Sequence, residues 1–265
     1  MNTSFRFLYT GRFSKGIRVS LDAIALYPYI TVDLAIEILE QKLKNDRKLA
    51  TRTNLSKQEL LRLTKLCVKD PSFQCELGRF QQSDGAPMGG PLSRLLADLV
   101  LEDLESKIRM NRKWKHKWDW VRYIDNTFMG WDDSIEELED FIQFLNSLHP
   151  KIKWTSEIEK DNKISFLDIL IIRNGESTDT SVYRKESASD RYIHFSSAQA
   201  WQEKVAAIRT LKHRALTYCS NPALLEKELN HLLKVFLENG FIQRILFKEK
   251  IVPNSQQNEI YRKLC

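Results

Sequence analysis

The first periodic pattern in the chain is an alternation of apolar and polar side chains. Ile17, Val19 and Leu21 alternate with polar neighbours, and Asp22 follows on the polar side. A period of two is typical of a β-strand with one buried face, and it predicts a strand over residues 17–24. An acidic side chain is therefore expected at the end of this strand.

Six later stretches space their apolar residues by three and four, which predicts helices. Ser, Thr or Pro stands at the start of most of them, and these residues favour helix N-termini. Two of the starts, Ser56–Glu59 and Ser134–Glu137, have the pattern of a capping box. The predicted helices cover about 31–44, 56–68, 91–108, 134–145, 201–218 and 222–238.

Short runs of β-branched and aromatic residues between the helices predict further strands. They lie at about 73–80, 121–128, 152–158, 164–172 and 180–184. From Trp201 onward only helical spacing remains, so we expect a mixed region over 1–198 and a helical region over 199–265. The expected fold class is α+β, with an antiparallel sheet and packed helices.

The run Arg122–Phe128 is apolar except for an acid and an amide at its centre. The pair Asp125-Asn126 favours a turn, so we expect two short strands joined by a hairpin with a carboxylate at its tip. A surface hairpin in which the acid serves only the turn is the alternative interpretation.

The segment Gln81–Pro91 holds three glycines and two prolines, which predicts a loop with a defined path. Pro91 is expected in the first turn of the helix that follows. Glycines in such a loop allow a nucleic-acid backbone to approach closely.

The composition is that of a globular protein: 42% of the 265 residues are hydrophobic and 29% are charged. The formal net charge of +6 favours a polyanionic partner. The four cysteines show neither metal-ligand nor disulfide spacing, which is typical of a reducing compartment. No apolar run suggests a signal peptide or a membrane span, so a nuclear or cytoplasmic protein without membrane contact is expected.

The segment from Arg109 to Trp118 gathers basic residues around Trp114. Basic and aromatic side chains together suit nucleic-acid binding. The solvated end of a charged helix explains the same pattern equally well.

Several of these segments together resemble the reverse transcriptases of Penelope-like retroelements, from about Val19 to Phe241. Ser20-Leu-Asp22-Ala-Ile-Ala-Leu-Tyr27 is similar to the first polymerase motif. Asp84-Gly-Ala-Pro-Met-Gly89-Gly-Pro-Leu and Arg122-Tyr-Ile-Asp125-Asn-Thr-Phe resemble two further motifs. The downstream blocks that match include His149-Pro, Ser165-Phe-Leu-Asp168 and Ser181-Val-Tyr-Arg-Lys185 through His194.

The resemblance implies an RNA-directed DNA polymerase that uses Mg²⁺ or Mn²⁺, with an RNA template, a DNA primer and deoxynucleoside triphosphates as partners. Asp22 and Asp125 would hold the metal ions together with the backbone oxygen of Ala23, with Asn126 beside them. Divalent ions in such sites clamp the attacking and leaving oxygens of the transferred phosphate.

Further roles follow from the same resemblance. Tyr27 would exclude a 2′-hydroxyl; an aromatic side chain of a core turn is the alternative for this residue. Gly89 and Gly90 would line the template and the nascent pair. The mixed region over 1–198 would be the palm, and the helical region over 199–265 would be the thumb. For Asp168 and Asp190 we expect capping or ion-paired acids, so neither is assigned to the site.

The chain also departs from the family pattern. Asn126 stands where the family has a second aspartate, Gly90 replaces a serine and Arg94 replaces a frequent proline. Only 21 residues precede Asp22, so the fingers are expected to be largely missing, and no GIY-YIG endonuclease is found in the sequence. Three hypotheses follow: a weakened or truncated polymerase core, a non-catalytic nucleic-acid-binding remnant, and an unstable product without function.

Overall fold

The computed structural model describes Phe13, residues 16–68, 72–82, 85–87, 89–115 and 120–249, and Ile251. The motif residues Asp84 and Met88, and Trp118 of the basic segment, lie outside the described residues. The strands are β1 (Ile17–Ile24), β2 (Ser72–Cys75), β3 (Gly78–Gln81), β4 (Trp120–Tyr123), β5 (Asn126–Trp131), β6 (Lys153–Ile158), β7 (Lys163–Phe166), β8 (Ile169–Asn174) and β9 (Ser177–Val182). The helices are α1 (Leu26–Tyr29), α2 (Val32–Asn45), α3 (Lys57–Val68), α4 (Ser93–Met110), α5 (Ile135–Ser147), α6 (Trp201–Tyr218), α7 (Pro222–Glu238) and α8 (Gln243–Lys248).

The chain divides into two compact units. The first unit is Gly16–Glu157, and the second unit contains the described residues of Met1–Lys15 and Ile158–Cys265. The predicted division near residue 198, into a mixed region and a helical region, stays a prediction.

A four-stranded sheet with the order β4-β5-β1-β6 forms the centre of the first unit. Strand β5 pairs antiparallel with both β1 and β4. Val19 and Leu21 of β1 are fully buried, as their alternation predicted, and they belong to a core that α2, α4 and α5 complete. Asp22 lies between two buried positions of β1 but is itself exposed, because successive side chains of a strand point to opposite faces.

The predicted helix starts at Thr31, Ser56 and Ser134 are confirmed. The hydroxyl of Ser56 accepts a hydrogen bond from Glu59 N–H at 3.2 Å, and the Glu59 carboxylate accepts one from Ser56 N–H at 2.7 Å. Each bond satisfies a backbone N–H that the first turn of a helix leaves without a partner.

Other predicted boundaries were wrong. Helix α4 begins at Ser93, so Pro91 precedes the helix instead of occupying its first turn. The predicted strand over 164–172 is two strands, because Leu167 adopts a left-handed φ of 55° and reverses the chain between β7 and β8. Helix α8 was not predicted, since six residues carry too little periodicity.

The second unit has a three-stranded antiparallel sheet, β7-β8-β9, and the helices α6, α7 and α8. Strand β9 is tied to the connection between α6 and α7: Ser220 N–H donates to the Thr180 carbonyl at 2.9 Å, and Thr180 N–H donates to Ser220 Oγ at 3.0 Å. Leu232, Phe236 and Phe241 are among the apolar residues that form the helical core of this unit.

The expected mixture of antiparallel sheets and helices is confirmed. Among the described residues, no helix combines the length and the apolar character needed to cross a membrane.

Candidate functional site

The sheet of the first unit brings Asp22 and the β4–β5 hairpin together. Asp22 is directly opposite Asn126 in the register of β1 and β5. One residue further along each strand, Ala23 N–H donates a hydrogen bond to the backbone carbonyl of Asp125 at 3.1 Å. The two acids predicted for the site therefore lie at the same end of the sheet, Asp22 on β1 and Asp125 in the turn that leads into β5.

The tip of the hairpin is Ile124-Asp125, since Tyr123 pairs with Asn126 across the turn. The expectation that Asp125-Asn126 forms the turn was wrong by one residue, although the carboxylate is at the tip as predicted. Ile124 has a left-handed φ of 55°, which is strained for a β-branched residue and costs about 1–3 kcal/mol. A strained backbone thus immediately precedes the acid.

Asn126 lies between the two acids. Its side-chain amide donates a hydrogen bond to Oδ1 of Asp125 at 3.0 Å. Its register partner is Asp22, and side chains of directly opposed residues extend from the same face of a sheet. The amide thus satisfies one carboxylate oxygen of Asp125 and adds no negative charge.

Arg122 connects the hairpin tip to α4. Its Nε donates to Glu105 at 2.6 Å and its Nη1 donates to Asp98 at 2.9 Å, while Nη1 also reaches the carbonyl oxygen of Ile124 at 3.3 Å. The Arg122 side chain is only 16% exposed. Burial favours the neutral form of this group, but the hydrogen bonds and charges of Glu105 and Asp98 outweigh burial and raise the pKa of Arg122. Arg122 is therefore a permanently charged anchor for the turn that carries Asp125.

Tyr27 is partly buried and packs against the core of the first unit. Its carbonyl oxygen accepts a hydrogen bond from Ala86 N–H at 2.8 Å. Gly85 has a φ of +81°, and a Cβ atom there would come within 2.7 Å of the Pro28 carbonyl oxygen. The glycine-rich loop is thereby held against α1, and Gly85 is the glycine that this close approach requires; it was not among the predicted site residues.

Gly90 contacts its own loop and the start of α4: its N–H donates to the Pro87 carbonyl at 3.1 Å, and its carbonyl accepts from Ser93 N–H at 3.2 Å. Gly89 has a φ of +83° but open space where a Cβ would lie, whereas a Cβ at Gly90 would come within 2.6 Å of Ser93 Oγ. That hydroxyl donates to the Pro87 carbonyl at 2.5 Å. The side chain of a serine at position 90 would therefore need the space that Ser93 already fills.

The atoms near the two acids are of the kind that Mg²⁺ and Mn²⁺ prefer. Asp22, Asp125, the amide of Asn126 and the neighbouring backbone offer oxygen ligands. Within the described ranges, no cluster of three or more His, Cys, Asp or Glu side chains could hold a metal ion. An ion here would rest on two carboxylates supported by neutral oxygens.

The prediction that Trp114 belongs to a basic and aromatic surface is wrong. This side chain is only 5% exposed and packs against Trp131 and Phe141 in the core. Lys113 covers the Trp114 ring with its ammonium group at 4.2 Å from the centroid, and pairs with Asp140. Trp114 therefore stabilises the core, and no base can stack on it.

Asp168 and Asp190 are ion-paired, as expected. Asp168 lies 3.2 Å from Arg214, and Asp190 lies 3.1 Å from His231 and 3.7 Å from Arg184. All three of these basic partners and both acids belong to the second unit, while every residue assigned to the site belongs to the first unit.

Comparison with protein families matches residues 191–250 to the family described as Animal helix-turn-helix domain. This segment contains α6, α7 and α8. No curated protein sequence matches the chain.

Among solved structures, the chain is similar to the telomerase of Candida albicans in complex with the TWJ fragment of telomeric RNA. The TM-score is 0.53 at 14% identity, and the match covers 91% of this chain and 40% of that one. Apo telomerase from Candida tropicalis gives a TM-score of 0.46 at 14% identity, with 89% and 45% of the two chains covered. The chain spans less than half of either telomerase, and the Candida albicans match shows a telomerase-like fold.

Proposed function

We propose that this chain is the core of an RNA-directed DNA polymerase of the Penelope-like type. The observation that carries the proposal is the placement of Asp22 on β1 beside Asp125 at the tip of the β4–β5 hairpin, joined by the hydrogen bond from Ala23 N–H to the Asp125 carbonyl. Two carboxylates held by a rigid sheet suit divalent ions that must lie about 4 Å apart.

In this proposal the sheet β4-β5-β1-β6 is the palm and the helices after residue 198 are the thumb. The telomerase-like fold supports this assignment. The RNA in that telomerase complex, the helix-turn-helix match and the net charge of +6 support a nucleic-acid partner. The proposed partners are an RNA template, a DNA primer and deoxynucleoside triphosphates.

Asp22, Asp125 and the carbonyl oxygen of Ala23 would hold Mg²⁺ or Mn²⁺. A bound divalent ion would neutralise charge on the phosphate oxygens and lower the pKa of the attacking hydroxyl. Arg122 holds the Ile124 carbonyl and so orients the adjacent carboxylate. Tyr27 would border the sugar, and Gly89 and Gly90 would border the template.

A non-catalytic nucleic-acid-binding protein is the second candidate, and Asn126 favours it. The amide replaces a carboxylate and donates its proton to Asp125. Charge at such a position acts directly on the transition state, where electrostatic effects are largest. We therefore expect metal-dependent activity to be weak.

Primer extension on an RNA template, with Mg²⁺ or Mn²⁺, tests the proposal. The variant Asp125→Ala removes one metal ligand, and Asp140→Ala, an exposed acid of the same unit, is the matched control. The polymerase proposal predicts slow extension by the unmodified chain and by Asp140→Ala, and none by Asp125→Ala.

Manganese binding separates the two candidates. It is measured as the loss of the electron paramagnetic resonance signal of the free ion. Binding that Asp125→Ala abolishes, with no extension, favours the non-catalytic protein. If the unmodified chain and Asp125→Ala bind manganese equally, the two acids are not a metal site and the polymerase proposal is wrong.

A further inference from the structure

A cavity of about 370 Å³ lies within the second unit, whereas the two acids belong to the first unit. Its walls come from the β7–β8 turn, from the loop that follows β9, and from α6 and α7. The loop contributes residues 183–185 and all of 187–192. This loop includes the Arg-Lys pair and the Asp-Arg-Tyr segment whose chemistry the proposed polymerase site does not use.

Four cationic and three acidic side chains line the cavity. Each of the three acids already lies beside a basic side chain. Glu228 makes a two-fold contact with Arg184, at 2.5 and 2.8 Å, and Asp168 pairs with Arg214. Asp190 contacts His231 at 3.1 Å.

Lys185 and Arg191 remain as surplus cations of the cavity. Neither forms an ion pair with any residue in the described part of the chain. Both are exposed, and the hydroxyl-bearing residues Ser187 and Ser189 line the cavity between them in sequence. A lysine ammonium and an arginine fork beside two hydroxyls favour an anion with several oxygens.

Hydrogen bonds from side chains of α6 and from the end of α7 fix the last part of this loop and the residues after it. The side chain of Asn239, at the end of α7, accepts from Tyr192 N–H at 3.1 Å and donates to the Asp190 carbonyl at 3.1 Å. Lys204 donates to the carbonyl oxygens of Phe195 and Ser197, each at 2.7 Å. These bonds fix the backbone on both sides of Arg191, and a backbone that is ordered before a ligand arrives lowers the entropic cost of binding.

We propose that this cavity binds a phosphate group of a polynucleotide backbone through Lys185 and Arg191. The phosphodiester carries one negative charge and two free oxygens, which match an ammonium and a guanidinium. The net charge of +6 and the helix-turn-helix match, whose residues 191–250 contribute Arg191, Arg214 and Glu228 to the walls, favour a polynucleotide. The inference rests on the proposed function only in taking a nucleic acid as the ligand.

Fluorescence anisotropy of a labelled RNA–DNA duplex with the full chain, in EDTA, tests the inference. The site variant is Lys185→Ala with Arg191→Ala. The matched control is Lys227→Ala with Arg244→Ala, which removes the same charge from exposed positions of the same unit that do not line the cavity. We expect about tenfold weaker binding by the site variant. The slope of log affinity against log salt should fall by about two, one for each lost phosphate contact.

Three results would overturn the inference: no duplex binding by the unmodified chain at low salt, equal losses in the site and control variants, or full binding by the site variant. Calorimetric titration with inorganic phosphate distinguishes a site for the free anion from a site for a polynucleotide backbone. Phosphate binding that the site variant loses, with unchanged duplex binding, would also overturn it. Because the assay contains no metal ion, a failure of primer extension leaves the result of this test unaffected.

Discussion

The side-chain amide of Asn126 donates a hydrogen bond to Oδ1 of Asp125 at 3.0 Å. Asn126 is also directly across the sheet from Asp22. A neutral donor between two acids relieves the repulsion that a third carboxylate would create at this end of the sheet. Asparagine at this position therefore suits a site without a bound ion better than aspartate would.

The variant Asn126→Asp is expected to destabilise the metal-free protein by about 1 kcal/mol, because like charges then face each other across β1 and β5. Addition of Mn²⁺ should recover this loss, since a ligand that binds only the folded state stabilises it. Thermal unfolding in EDTA and in Mn²⁺ measures both effects. Asn54→Asp, which adds the same charge in an exposed loop of the same unit, should show neither; equal behaviour of the two variants would contradict the prediction.

Replacement of Arg122 by Met is expected to lower the free energy of unfolding by about 3 kcal/mol, because it leaves the partly buried Glu105 without its partner. Urea unfolding of the full chain measures the loss. Lys107→Met breaks a more exposed pair with Asp103 and should cost less than about 1 kcal/mol. A similar cost for both variants would show that Arg122 does not anchor the hairpin.

Gly85→Ala and Gly89→Ala form a matched pair, because the two glycines share nearly the same φ, +81° and +83°. Alanine at either position is expected to cost about 1–2 kcal/mol for the left-handed backbone. Only at Gly85 does the added methyl group meet Pro28, which adds about 1–3 kcal/mol of overpacking. Chemical unfolding of both variants gives the difference, and equal losses would mean that the loop moves away from α1.

The stability of the first unit should fall as the pH drops below the ordinary histidine value of 6.5. Burial lowers the pKa of His149, and Lys107, Lys153 and Lys151 lower it further. The unfolded chain then binds the proton more tightly than the folded chain does, so acid shifts the equilibrium toward unfolding. Protonation also removes the acceptor that Nδ1 offers to the N–H group of Ile152 at 3.0 Å.

His149→Asn tests this pH dependence, because an amide oxygen can accept the same hydrogen bond without titrating. We expect the melting temperature of the unmodified protein to fall more than that of the variant between about pH 8 and about pH 5. Parallel curves for the two proteins would exclude His149 as the cause.

Much of the first unit could be predicted because its local signals agree with its packing. The alternation over 17–24 and the capping boxes at Ser56 and Ser134 each reflect a short-range rule, and tertiary contacts reinforce each of them. The acid at the hairpin tip was found from the same kind of signal, because the flanking strand formers left only a short turn between them.

The remaining features depend on contacts between distant residues. Ile124 adopts a left-handed backbone that its side chain disfavours, and Arg122 holds it there through α4, so turn propensity placed the reversal one residue too late. Trp114 lies in a basic segment, but its burial depends on Trp131 and Phe141 from later elements. Neither fact can be read from the neighbouring residues alone.

The burial of Trp114 and Trp131 also gives the protein an internal optical probe. Five of the six tryptophans in the sequence belong to Gly16–Glu157, whereas Trp201, which is 51% exposed, is the one tryptophan of the second unit. Indole emission shifts to longer wavelength when water reaches the ring, so fluorescence on denaturation reports chiefly on the first unit. If Trp201 were replaced by Phe, the fluorescence would report on the first unit alone. Circular dichroism would follow the helices of both units together, so any part of its transition that differs from the fluorescence transition would belong to α6, α7 and α8 of the second unit. The order in which the two units unfold could then be observed in one unlabelled sample.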